Sequence, residues 1–396
     1  MGKKEKLKKK RLMGELDFIL VLVVTMLIVF GVVMVFSASY YNAINEDGTP
    51  YSYLWRQVFY AVSGFALMVF FALIDYHTWR GWAIPLAFGG IVMLLLLFTP
   101  LGVSTNGATR WLWLGVASIM PGEFAKPIMV LFCAAYFAKD IRRAATLSGL
   151  IPAMIYAAIV CFLIYKQPNL STAMTVAAVA VGIAFLAGMK WHIVAAMIAA
   201  LGAGIYYIAF IDDGYQHQRV MTFLDPFKES LDSGYQVVQS LLALGTGGLT
   251  GVGLGRSVQK NLYLPEAQND FILSIIGEEL GFLGIAILLG VFVVLIWRLF
   301  MISVKAPDNY GMLIAGGTGI LIGVQVLFNV AVVTSSMPPT GVALPFISYG
   351  GNAMWVLMSL IGVCLNVSRQ IPESVEKLKQ EKSQSAKAKA REKVAA

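Results

Sequence analysis

The chain has 396 residues, of which 58% are hydrophobic and 13% charged, with a mean hydropathy of +0.74. Soluble domains carry about 25% charged and about 45–50% apolar residues, so a single soluble domain is excluded. Disorder is excluded too, because it requires low hydrophobicity. The net charge of +8 gathers in two lysine-rich ends, Gly2 to Arg11 and Ser368 to Lys393. Such runs read as solvated tails near anionic lipid, and no nucleic-acid partner is expected.

Spanning helices need roughly 20 mainly apolar residues. Candidates fall near 17–38, 53–74, 82–99, 122–138, 147–165, 171–189, 192–211, 271–297, 310–334 and 345–367. The expected fold is therefore all-α, a polytopic integral membrane protein with about ten transmembrane helices. Residues 1–14 and 371–396 are expected as basic cytoplasmic tails, the second disordered, and 15–370 as the membrane domain. With both termini inside, Arg80, Lys139, Arg142, Arg143, Lys190, Arg298 and Lys305 join the tails on the cytoplasmic side, as the positive-inside rule requires. The first span has the basic flank and small-residue end (Ser37-Ala38-Ser39) of a signal peptide. Its apolar stretch is too long for one, which reads as a retained anchor. Cys133, Cys161 and Cys364 all fall in apolar runs, with neither a disulfide framework nor CxxC spacing.

Polar residues near the bilayer are expensive and mark function. In chain order, the first are Arg110, in Asn106-Gly-Ala-Thr-Arg110-Trp111, and the pair Glu123 and Lys126 in Pro121-Gly-Glu123-Phe-Ala-Lys126. Three residues apart on a helix, Glu123 and Lys126 share a face and can pair. Both cations could equally meet an anionic lipid pyrophosphate. The polar break Lys166-Gln167-Pro168-Asn169-Leu-Ser171-Thr172 is explained by a turn in which Pro168 stops one helix and Asn169 or Ser171 caps the next.

Residues 212–270 are expected as a large external loop between the seventh and eighth spans, holding Arg219, Gln236, Gln239 and a glycine run from Gly245 to Gly255. That run lacks the Gly-Lys-Ser/Thr ending of a P-loop, leaving a bendable cavity lining or a plain linker. Asp270 then stands at the start of the eighth span, where an N-cap is its simplest role. At helical spacing Glu278 lies roughly 80° around from Asp270 and Glu279 roughly 180°, so Glu278 would share a cavity with Asp270 and Glu279 would turn away. Ser348, in Pro345-Phe-Ile-Ser348-Tyr-Gly-Gly351, is a cap or a cavity group on an irregular approach to the last helix. His77, His192 and His217 show no ligand spacing.

Taken together, Ala108-Thr-Arg110-Trp111, Pro121-Gly-Glu123-Phe-Ala-Lys126, Gln167-Pro-Asn-Leu, Leu264-Pro-Glu-Ala-Gln-Asn-Asp270-Phe and Pro345-Phe-Ile-Ser-Tyr-Gly-Gly351 resemble the SEDS family (shape, elongation, division and sporulation) over about residues 15–370. That family comprises the bacterial cell-wall glycan polymerases, and the ending Ile361 to Arg369 looks more like its FtsW/SpoVE branch than its RodA branch. Gly122, Asn169, Ser171 and Asn269 depart from the family's more usual Ser, Asp, Gly and Thr.

The resemblance implies a peptidoglycan glycosyltransferase in the bacterial cytoplasmic (inner) membrane. It would polymerise lipid II on the outer face, in cell division or spore-wall synthesis. Asp270 would be the catalytic residue, either a base or the ligand of a divalent cation such as Mg2+ or Mn2+. Arg110, Glu123, Lys126, Gln167, Arg219, Gln236, Gln239, Glu278 and Ser348 would contact substrate. A class B penicillin-binding protein and other division or elongation proteins would be partners. A lipid II flippase or transporter is the main alternative, since ten spans with broken helices suit it as well. Against it stand the external placement of the polar clusters and the lack of a visible repeat. An inert scaffold is the third reading.

Overall fold

In the computed structural model the apolar runs fold as long helices at the ten expected positions. The structure describes residues 14, 16–105, 108–113, 115, 118–210, 223, 234–339 and 341–372. The helices are α1 (Phe18–Asp47), α2 (Ser52–Leu73), α3 (His77–Leu96), α4 (Pro121–Lys139), α5 (Leu147–Tyr165), α6 (Leu170–Leu186), α7 (Trp191–Phe210), α8 (Tyr235–Gly247), α9 (Ile272–Lys305), α10 (Asn309–Val333) and α11 (Gly351–Arg369). Seven of them, α1, α2, α3, α5, α9, α10 and α11, are long and apolar enough to cross a bilayer. Between α3 and α4 lies a small antiparallel sheet, β1 (Gly102–Thr105), β2 (Ala108–Trp113) and β3 (Ser118–Ile119), in the order β1-β2-β3.

Burial sorts the helices into layers. The strongest hydropathic windows of α10 and α11 are mostly buried, and α10 packs against α4, α6 and α9. The rim helices α2, α3 and α5 instead point Trp55, Phe59, Phe70, Trp82, Phe88 and Phe162 outward, as a lipid-facing surface must.

Local signals set the helix ends. Asp17 caps α1 through Leu20 N at 3.0 Å and pairs with Arg298 at 2.7 Å. Asn169 caps α6 through Thr172 N at 3.3 Å, as the polar break predicts. At the same end of the bundle as Asp17, His77 lies between two carboxylates, 2.7 Å from Asp75 and 2.6 Å from Asp308, the cap of α10. Burial pushes both carboxyls up. Hydrogen bonds outweigh it and hold both below the ordinary 3.8: from the His77 side chain and backbone amide and Gln370 to Asp75, and from Gly311 N, Tyr76 and His77 to Asp308.

The expected external loop 212–270 contains a helix. Residues 235–247 form α8, which packs on α9, and the glycine-rich stretch after it is hydrogen-bonded to α9. The glycines, read as a bendable cavity lining or a plain linker, allow close backbone approach to a broken helix. Both basic tails, apart from residues 14, 371 and 372, lie outside the described residues, as does Arg219.

Candidate active site

Asp270 enters the fold one residue before the cap of α9. The cap position belongs to Phe271, and no side chain caps this helix, so the simple N-cap role for Asp270 fails. The backbone around it is gripped from three sides. Asn329, buried near the end of α10, donates Nδ2 to the Asp270 carbonyl at 2.8 Å and to the Val342 carbonyl at 2.7 Å. Ser348 Oγ donates to the Asn269 carbonyl at 2.7 Å and accepts from Leu344 N at 2.8 Å. Gln268 takes Tyr349 N on its carbonyl at 2.9 Å and Asn42 Nδ2 on its side-chain oxygen at 2.9 Å. Gly341 backs onto the carboxylate itself: at φ +74, a Cβ there would lie 2.9 Å from Asp270 Oδ2.

Ser348 therefore receives a corrected role. Its only proton goes to the Asn269 carbonyl, so it fixes the Asp270 segment instead of lining a cavity. Glu278 is also corrected. It is buried, and its carboxylate accepts from Ser257 Oγ, from Val258 N at 2.9 Å and from Gln259 N at 3.3 Å. Glu279, expected to turn away, is fully buried against Lys260 at 2.8 Å and Ser37 at 2.7 Å. The helical wheel omits the folded-back 257–260 turn, and that turn supplies the partners of both acids.

A second polar group forms at the same end of the bundle, where α3 and α5 finish and α4 and α6 begin. Lys126 and Glu123 pair at 2.6 Å, their side chains 6% and 12% exposed, as the spacing predicts. Gly122 packs beside Thr172 and Asn169. Arg110 on β2 donates to the Pro168 carbonyl, which joins two motifs 58 residues apart. Gln167 is buried and donates to the Leu94 carbonyl at 3.4 Å. It lines a cavity of about 520 Å³ with Phe98, Thr109, Lys166 and Pro168. Gln236 and Gln239 are half-buried on α8, three apart on one face. Sequence reasoning missed Asn329, Gly341 and Asn42; the signal for Asn329 was an asparagine deep in an apolar run. Among the described residues no three His, Cys, Asp or Glu side chains gather as a metal set.

The fold and site thus define a class: a multi-pass, mainly helical membrane protein with one backbone-braced carboxylate at the end of the bundle where Arg110, Glu123 and Lys126 also lie. Residues 18–373 match the family model for FtsW, RodA and SpoVE, described as a cell cycle protein. The chain belongs to this family. It is 39% identical over 357 residues to a probable peptidoglycan glycosyltransferase FtsW of Geobacter sp. (strain M18), covering 90% of this chain and 97% of that one. To the stage V sporulation protein E of Bacillus subtilis (strain 168) it is 37% identical over 356 residues, covering 89% and 97%.

Two solved structures share the fold. One, described as the structural coordination of polymerization and crosslinking by a peptidoglycan synthase complex, has a TM-score of 0.74 at 26% identity, covering 90% of this chain and 98% of that chain. The other is the rod shape determining protein RodA of Thermus thermophilus, with a TM-score of 0.66 at 25% identity and the same coverage.

Proposed function

We propose that Asp270 is the general base of this chain's reaction and that Arg110 and Lys126 face the pyrophosphate it displaces. The reaction is peptidoglycan glycosyl transfer at the inner membrane: lipid II is polymerised into glycan strands, in division or spore-wall synthesis. The acceptor sugar hydroxyl attacks the anomeric carbon of the donor. The bond from that carbon to the undecaprenyl pyrophosphate breaks as the glycosidic bond forms, and the hydroxyl proton passes to the Asp270 carboxylate. Positive charge at Lys126 and Arg110 stabilises the leaving pyrophosphate.

The observation that carries this reading is the bracing of Asp270. Asn329 and Ser348 hold its backbone while Gly341 leaves room beside Oδ2. In the alternative role Asp270 would not be the base but would hold a divalent cation such as Mg2+ together with the substrate's own phosphates, and that ion would neutralise charge on the leaving group. On our reading the chain crosses ten times with both termini cytoplasmic, which the positive-inside rule supports, and Asp270, Arg110 and Lys126 are then on the outer side. A class B penicillin-binding protein is the partner that fits, because the product strand needs crosslinking and a structural neighbour is a synthase complex.

Asp270→Asn tests the base directly, since the amide keeps the shape and cannot take the proton. Lipid II binding is expected to persist while pyrophosphate release stops. Release at the wild-type rate would remove Asp270 from the chemistry.

A further inference from the structure

The long helix α9 is broken at Gly281, which has φ 68 and ψ −170. A break inside an apolar helix frees backbone groups, and in a membrane those must find protein partners. The glycine-rich segment after α8 supplies them. Phe282 N donates to the Gly248 carbonyl at 2.9 Å and Leu283 N to Leu249 at 3.1 Å. Val252 N donates to the Glu278 carbonyl at 2.9 Å and Gly253 N to Glu279 at 3.0 Å. The approach requires glycine: a Cβ on Gly251 would sit 2.2 Å from the Glu279 carbonyl oxygen.

From this clasp the chain runs into a buried charge pair. Lys260, 5% exposed, places Nζ 2.8 Å from Glu279 Oε1 and 3.0 Å from Ser37 Oγ on α1. Ser37 in turn donates to both Glu279 oxygens, at 2.7 and 2.9 Å. Glu278 closes the adjacent turn through Ser257, Val258 and Gln259. Ten residues after Lys260 comes Asp270, whose segment is fixed at its far end by Asn329 and Ser348.

We propose that Lys260 and Glu279 are a positioning pair that sets where Asp270 stands over the substrate. The inference rests on the reading of Asp270 as the base. A buried ion pair is a poor source of stability, since apolar side chains of similar volume serve as well or better. Apolar attraction is non-directional. A lysine bound to one carboxylate oxygen and one hydroxyl has a single register, and the pair ties the 257–260 turn to both α9 and α1. Asp270 is then held between two anchors, the charge pair on one side and the α10–α11 residues on the other. Displacement by about 1 Å can cost about 10²-fold in rate, so even a modest shift of this segment is visible in kcat.

The test uses the full-length purified protein with lipid II. Lys260→Met combined with Glu279→Gln removes both charges together, leaving no lone buried ion. We expect kcat to fall at least about tenfold with KM within about twofold. Hydrogen exchange over residues 264–270 should quicken while α10 and α11 keep their protection. Ser37→Ala, which keeps both charges, should lower kcat about threefold or more and remains informative if the double variant does not fold. Wild-type kcat in the double variant, or in Ser37→Ala where the double variant does not fold, overturns the proposal. So does a fall in kcat with unchanged exchange at 264–270. Asp270→Ala is measured alongside. If it still polymerises, the base reading fails, and the exchange result separately judges whether the pair holds the segment.

Discussion

Replacing Asn329 by leucine removes the donor that joins two backbones at the site. Asn329 is 1% exposed and gives Nδ2 to the carbonyls of Asp270 and Val342 at 2.8 and 2.7 Å. A buried carbonyl left without its donor costs about 1–3 kcal/mol, so the two losses together amount to about 2–6 kcal/mol. Leucine also removes Asn329 Oδ1, a buried oxygen with no hydrogen-bond partner among the described residues, which returns about 1–3 kcal/mol. The net destabilisation is about 1–3 kcal/mol, small enough for the protein to fold. The effect on rate is larger, because the Asp270 backbone loses one of its supports, and a shift of about 1 Å costs about 10²-fold. Thermal melting in detergent should show a modest drop for Asn329→Leu, and polymerisation of purified lipid II a fall of about 10²-fold. Wild-type polymerisation by a variant with the expected drop in melting temperature would refute the idea that this asparagine positions the carboxylate.

Lys126→Met strands the nearly buried Glu123 and should lower stability by about 3–5 kcal/mol in chemical denaturation. Adding Glu123→Gln should restore stability without restoring polymerisation, since the pyrophosphate would still lack its cation. Gly341→Ala puts a Cβ 2.9 Å from Asp270 Oδ2 at φ +74, and a steady-state assay should show kcat reduced about tenfold or more. At the opposite end of the bundle, Asp75 and Asp308 are both held below 3.8 in the folded protein. The stability they contribute is therefore complete above that value and is lost as pH falls below it. Melting temperatures should decline below about pH 4 in the wild type and less steeply in His77→Gln, which lacks one of the groups that lower both carboxyls.

What could be read from the residues alone was whatever depends on neighbours in the chain. Hydropathy located the ten long helices because each apolar run is itself the helix. The Glu123–Lys126 pair and the Asn169 cap lie three residues apart or closer to their partners, within reach of helical spacing rules. The roles of Ser348 and Asn329 were not legible. Their partners in the Asp270 segment lie 79 and 59 residues away, and nothing in the local sequence specifies those contacts. Glu278 was misplaced for a related reason, since a helical wheel positions it relative to Asp270 but omits the 257–259 turn that folds back onto it. The glycine run was ambiguous because glycine permits both a flexible linker and the closest backbone contact; only the break at Gly281 decides between them.

The most direct test of the account is polymerisation by the purified protein, alone and with a candidate class B penicillin-binding protein, from lipid II as sole substrate. Asp270→Ala, matched for melting temperature, would be run beside it. Long glycan strands from the wild type and none from the variant are the predicted result. Equal polymer from both would place the chemistry elsewhere. Lipid II scrambling across a vesicle membrane without polymer from either would contradict the account altogether.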